Sequence, residues 1–124
     1  MTRDPPKTVS HVDLEKYAGE WYEQASIPAF EKGCSKVKAI YTLNPDESIK
    51  VNNTCIKNGA RHDTIGKATK DPADLAQTNA KLIVRFPIAL YIPGTYWIVR
   101  LDEVNYTYSV VSSDDYKYLW ILYR

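Results

Sequence analysis

From Glu20 to Tyr123 the chain repeats one pattern: short segments in which apolar and polar residues alternate with a period of two. They are separated by Asn, Asp, Gly and Pro, the residues that turn a chain. Eight such segments are legible, at about Glu20 to Ile27, Ser35 to Leu43, Ser48 to Ile56, His62 to Thr69, Ala80 to Phe86, Thr95 to Leu101, Tyr106 to Ser112 and Lys117 to Tyr123. A strand turns successive side chains to opposite faces, so each segment reads as a strand with one face turned inward. The only helical pattern is a single turn near His11 to Tyr17, closed by Gly19. Parallel strands need long crossovers, usually helical, and none is available here, so the sheet is antiparallel. Eight strands in simple succession suit an up-and-down β-barrel, with a two-sheet sandwich as the alternative.

With 124 residues the chain is one domain, read as a flexible segment over 1–11 and a barrel over 12–124. Sixteen basic and fifteen acidic residues nearly balance, which argues against sequence-independent nucleic-acid binding through many phosphates. No apolar stretch approaches the roughly 20 residues of a transmembrane helix. The first residues lack the apolar core of a signal peptide, which suggests a cytosolic chain or a processed form carrying an added Met. His11 and His62 stand far apart with no ligand-spaced Cys or Glu, so no metal or other cofactor is expected. Nucleotide-binding and nucleophile-elbow patterns are missing as well.

Alternation assigns the inner face. Val37, Ala39, Tyr41 and Leu43 share one side of the second segment, Ile49, Val51 and Asn53 one side of the third, and Leu82, Val84 and Phe86 one side of the fifth. Gly66 and Ala68 leave room between them. Ten Tyr and three Trp against two Phe make the aromatic content amphipathic, suited to half-buried surfaces and to ligands with a polar end. Tyr41, Asn53, Phe86 and Trp120 read as a cavity wall. Cys34 enters the second segment and Cys55 leaves the third, at the same end of one hairpin. They can meet in a disulfide, which would favour an oxidising compartment; two free thiols are the alternative.

Gly19-Glu20-Trp21 opens the first strand after a helical turn. Pro28 to Cys34, Tyr41 to Asp46, Gly94 to Val99, Asp102 with Tyr106, and Tyr118 to Arg124 follow in order. Together they resemble the lipocalin family, in its bacterial lipocalin and apolipoprotein D branch, over about Val12 to Arg124. The resemblance implies a calyx that binds small hydrophobic or amphipathic molecules such as fatty acids or lysophospholipids, without catalysis. It implies Trp21 as a plug at the closed end with Arg124 over it, and it adds Tyr96 to Tyr41, Asn53, Phe86 and Trp120 as cavity-lining positions. A periplasmic, outer-membrane-associated or secreted setting follows from the same likeness, the signal or lipid anchor not being in this chain.

Two departures are visible. Leu101-Asp102-Glu103 stands where the family's second motif reads Thr-Asp-Tyr. The chain also stops at Arg124, where the family continues into a helix packed outside the barrel. Alternation turns Trp97, Val99, Leu119, Ile121 and Tyr123 outward, an apolar surface that expects a cover, most simply a second copy in a homodimer. Two rival functions have their own signatures: a lipid isomerase would need a reduced cavity cysteine, and a ligand-free interaction module would fill its barrel with its own side chains.

Overall fold

The structure, a computed structural model, describes residues 4–27, 34–86 and 94–124. Of the Pro28 to Cys34 motif, therefore, only Cys34 falls within it. The elements are α1 (Leu14–Tyr17), β1 (Gly19–Ile27), β2 (Ser35–Leu43), β3 (Ile49–Lys57), β4 (Ala60–Lys70), β5 (Lys81–Arg85), β6 (Gly94–Leu101), β7 (Tyr108–Ser112) and β8 (Leu119–Tyr123). Each strand pairs antiparallel with the next, and β8 pairs with β1, so the sheet closes in the order of the sequence. Closure leaves no edge strand unpaired. This is the barrel that alternation called for, and not a sandwich.

Local chemistry sets the ends of the elements. Asp13 caps α1 by accepting from the backbone N–H groups of Glu15 and Lys16. Asn58 and Gly59 both take positive φ, 52° and 75°, as the tight hairpin turn between β3 and β4 requires. The seventh strand starts at Tyr108 and not at Tyr106. The reason is a turn in which the Tyr106 N–H donates to the Asp102 carbonyl and Tyr106 itself sits at φ 52°. β8 likewise starts at Leu119, because Ser113 and Asp115 side chains hold the preceding turn, accepting from the N–H groups of Tyr118 and Lys117.

Register decides which residues face inward. Directly opposed residues in a ladder share a face. Trp21 opposes Ala39, Tyr41 opposes Val51, Val51 opposes Gly66, Ala68 opposes Val84, Leu82 opposes Tyr96, Val111 opposes Trp120, and Leu122 opposes Glu23. Three irregularities interrupt the phase, one between Ser35 and Lys38 at the start of β2, one at Gln24 and one, the last, at Val99, beyond which the register resumes. After the last, Arg100 turns out and Leu101 turns into the core. α1 lies across one end, beneath Trp21 and Tyr41. From the N-terminal segment the Val9 N–H donates to the Ile98 carbonyl and the Val12 N–H to Thr78.

The outer face differs from expectation. Trp97 does point outward, but it is only 4% exposed. The β4–β5 connection folds back so that Asp71 accepts from its indole N–H at 2.9 Å, and the Lys81 ammonium sits 4.4 Å from its ring centroid. Val99 and Leu119 are half-buried, and only Ile121 and Tyr123 remain exposed. The chain thus covers part of its own apolar surface, which strand alternation cannot foresee.

Candidate functional site

The interior is built on a floor of phenols. Tyr17, carried by α1, shares hydrogen bonds with Tyr96 at 2.8 Å and Ser109 at 2.9 Å, and Tyr96 shares another with Tyr41 at 2.8 Å. The rings of Tyr17 and Tyr41 stack with centroids 5.8 Å apart, and Tyr96 meets Tyr41 edge-on. Four hydroxyls satisfying one another is what a buried polar cluster requires. Burial pushes the Tyr17 phenol up to about 12, and burial together with the neighbouring phenols raises Tyr41 and Tyr96 as well. The floor is a neutral hydrogen-bonding surface at ordinary pH.

Above it rises an apolar wall of Ile49, Val51, Ala68, Leu82 and Val84. The gap left between this wall and Tyr17, Tyr41 and Tyr96 is about 10 Å³, room for about one water. Gly66, whose lack of a side chain suggested spare room, faces a ring: a Cβ there would lie 2.5 Å from Phe86 and 2.8 Å from the Arg85 carbonyl oxygen. The space is taken by Phe86. Asn53, between Ala39 and Thr64 in the ladders, and Trp120 are half-buried on the inner face. Trp120 stacks with Tyr118 at 6.0 Å between centroids. Tyr41 and Tyr96 thus meet directly, Phe86 covers β4, and Asn53 and Trp120 occupy other sectors of the wall.

The closed end is sealed by a second constellation. Trp21 is fully buried and donates its indole N–H to the Tyr17 carbonyl at 2.8 Å. The Arg124 guanidinium carbon lies 4.1 Å from the centroid of the indole ring. Arg124 also donates to the carbonyls of Lys16, Tyr17 and Ala18 at 2.7, 3.0 and 3.2 Å. These carbonyls end α1, where a cation is favoured.

Cys34 and Cys55 form a disulfide, with Cα atoms 5.5 Å apart, tying β2 to the far end of β3. Both thiols are consumed. Among the described residues no cluster of His, Cys, Asp and Glu assembles that could hold a metal ion, and no helix is long and apolar enough to cross a membrane.

Two interior residues escaped the sequence reading. Tyr17 ends the helical turn and carries no motif of its own, yet its hydroxyl is the link between Ser109 and Tyr96. Glu23 is the second. It lies two residues beyond Trp21 and opposite buried Leu122, so alternation from Trp21 was the available signal. Burial raises its carboxyl above the ordinary range, against a hydrogen bond from Ser26 that lowers it.

Comparison with known proteins agrees with this architecture. Residues 12–124 match the lipocalin-like domain model. Temperature-induced lipocalin-1 of Arabidopsis thaliana is 38% identical over 95% of this chain and 66% of its own length. The outer membrane lipoprotein Blc of Vibrio cholerae is 36% identical over 95% of this chain and 68% of its own. Insecticyanin of the tobacco hornworm Manduca sexta, 22% identical, shares the fold with a TM-score of 0.77 over 98% of this chain and 69% of that one. The chain spans about two thirds of the length of these relatives. It belongs to the lipocalin family, a family of binders of small hydrophobic molecules.

Proposed function

We propose that this barrel is a carrier or store for a single-chain hydrophobic or amphipathic molecule of the fatty acid or lysophospholipid class. The observation that carries the reading is the pairing of an apolar wall, Ile49 to Val84, with a phenol floor that offers hydrogen bonds and no charge. Burying an acyl chain supplies roughly 0.8 kcal/mol per methylene before ordering costs, so no charged anchor is needed. Tyr41, Asn53, Phe86, Tyr96 and Trp120 are the lining positions in this reading. An acyl chain needs far more than 10 Å³, so its entry requires side chains to move, foremost the Phe86 ring resting on Gly66.

The same small volume favours a second reading, an interaction module whose barrel is filled by its own side chains. Native mass spectrometry of the purified protein separates the two. A carrier retains or takes up one amphiphile per chain, whereas a filled barrel shows only the apoprotein after incubation with excess lipid. An isomerase using a cavity thiolate finds no support, because the disulfide leaves neither sulfur as a nucleophile. That bridge, together with an outer membrane lipoprotein among the relatives, supports a place outside the cytoplasm.

Self-association now has a smaller basis than alternation suggested. It rests on Ile121 and Tyr123 with the adjacent Tyr22, whose ring lies 5.7 Å from that of Tyr123, and not on Trp97. Sedimentation analysis of the wild type against Ile121→Lys tests it: a dimer that Ile121→Lys dissolves supports this surface, and a wild-type monomer at high concentration refutes it.

A further inference from the structure

A carboxylate, Glu23, stands on the inner wall, and an irregularity of β1 builds its surroundings. Glu23 shares the face of Trp21 and opposes Leu122, both buried. In a regular strand Ser26, three residues on, would point the other way. The bulge at Gln24 reverses the phase, so that Ala25 opposes outward Ile121 and Ser26 opposes inward Trp120. Ser26 is thereby brought inside, onto the face that carries Glu23. Bulges commonly re-aim a side chain at a functional position.

The carboxylate has aromatic neighbours and, among the described residues, no counter-ion. Trp21 precedes it on the same face, Trp120 lies on the adjoining strand, and the Tyr41 phenol is close enough for the carboxylate to raise it. Among the described residues no Lys, Arg or His pairs with Glu23. By register Lys70 and Lys57 fall on the same face only at strand ends, Lys70 pairing there with Glu47 at 3.5 Å and Lys57 closing the turn against Ala60. A desolvated carboxylate is costly without a partner, and a cation beside aromatic faces is a favourable one.

We propose that the calyx selects single-chain amphiphiles with an ammonium head group, seated against Glu23 and Ser26 beside Trp120, with the tail along the Ile49 to Val84 wall. This rests on the carrier reading and narrows its ligand class, since a carboxylate head would meet Glu23 as a like charge. The phenol floor stays beneath the tail.

Three probes of one chain length decide it: dodecyltrimethylammonium, dodecanoate and dodecanol, each below its micelle concentration. Binding is followed by tryptophan fluorescence at mildly alkaline pH, where the carboxylate is ionised. The ammonium probe should bind about tenfold more tightly than the carboxylate. Glu23→Gln should reduce that ratio to about threefold or less. Equal binding of the two charged probes by the wild type overturns the proposal, as does a preference that survives in Glu23→Gln. The wild-type comparison decides alone if the variant does not fold. Failure of dodecanol itself to bind would instead refute the carrier reading on which the proposal rests.

Discussion

The guanidinium carbon of Arg124 lies over the indole of Trp21, 4.1 Å from the ring centroid, while its nitrogens hold the last carbonyls of α1. One side chain at the end of β8 therefore joins the first helix to the first strand and seals the barrel. Removing it exposes the Trp21 ring and takes the donor from the Lys16 and Ala18 carbonyls, while the Tyr17 carbonyl keeps the Trp21 indole. Arg124→Ala should cost about 2 kcal/mol, measured by urea unfolding. Arg124→Lys should recover less than half, because a point charge cannot reproduce a planar fork over a ring.

Tyr96 is the middle link of the phenol chain and Tyr41 an end. Tyr96→Phe leaves both neighbours short of a partner in a buried setting, whereas Tyr41→Phe breaks one hydrogen bond. Destabilisation of about 2 kcal/mol is expected for the first and about 1 kcal/mol for the second. Equal losses would show that the hydroxyls do not act as a connected cluster.

The same cluster makes stability depend on alkaline pH. Burial raises Tyr17 from its ordinary 10.0 to about 12, and Tyr41 and Tyr96 shift in the same direction. Between pH 10 and about 12 the unfolded chain sheds the Tyr17 proton while the folded chain keeps it. Stability is therefore undiminished by this group below pH 10 and falls as pH rises through the window. Urea midpoints should drop over that range. Tyrosinate absorbance should show these three phenols ionising only as the barrel opens. Titration of all ten tyrosines in an intact barrel would contradict the burial described.

Gly66 is required by the ring that lies on it. Gly66→Ala places a methyl group against both the Phe86 ring and the Arg85 carbonyl oxygen, the second of which cannot rotate away. A loss of about 1–3 kcal/mol is expected by thermal or denaturant unfolding. Phe86→Ala in the same chain should relieve only part of it, because the backbone contact remains.

Much of this molecule was legible in its residues. Alternation placed the strands to within a few residues, and the hairpin geometry brought Cys34 to Cys55. Failures cluster where a local irregularity or a distant segment outweighs a periodic pattern. A positive φ at Tyr106, fixed by Asp102, trims the seventh strand. The bulge at Gln24 puts Ser26 beside Glu23, and one extra residue in a ladder leaves no mark in composition or period. Trp97 points outward as alternation requires, but its cover comes from Asp71, 26 residues away. Inner and outer faces can be read from a strand; what lies over them depends on where the connections run.

The central claim is that the inner wall receives a hydrophobic chain, and the contrast between two substitutions tests it most directly. Trp120 faces the interior and Lys50 faces solvent on β3. Titration of a fluorescent fatty alcohol into the wild type, Trp120→Ala and Lys50→Ala should give saturable binding that weakens about tenfold in Trp120→Ala, for loss of a large apolar surface. Lys50→Ala should match the wild type. Equal affinities in all three proteins, or no saturable binding in any, would contradict a ligand held within this barrel.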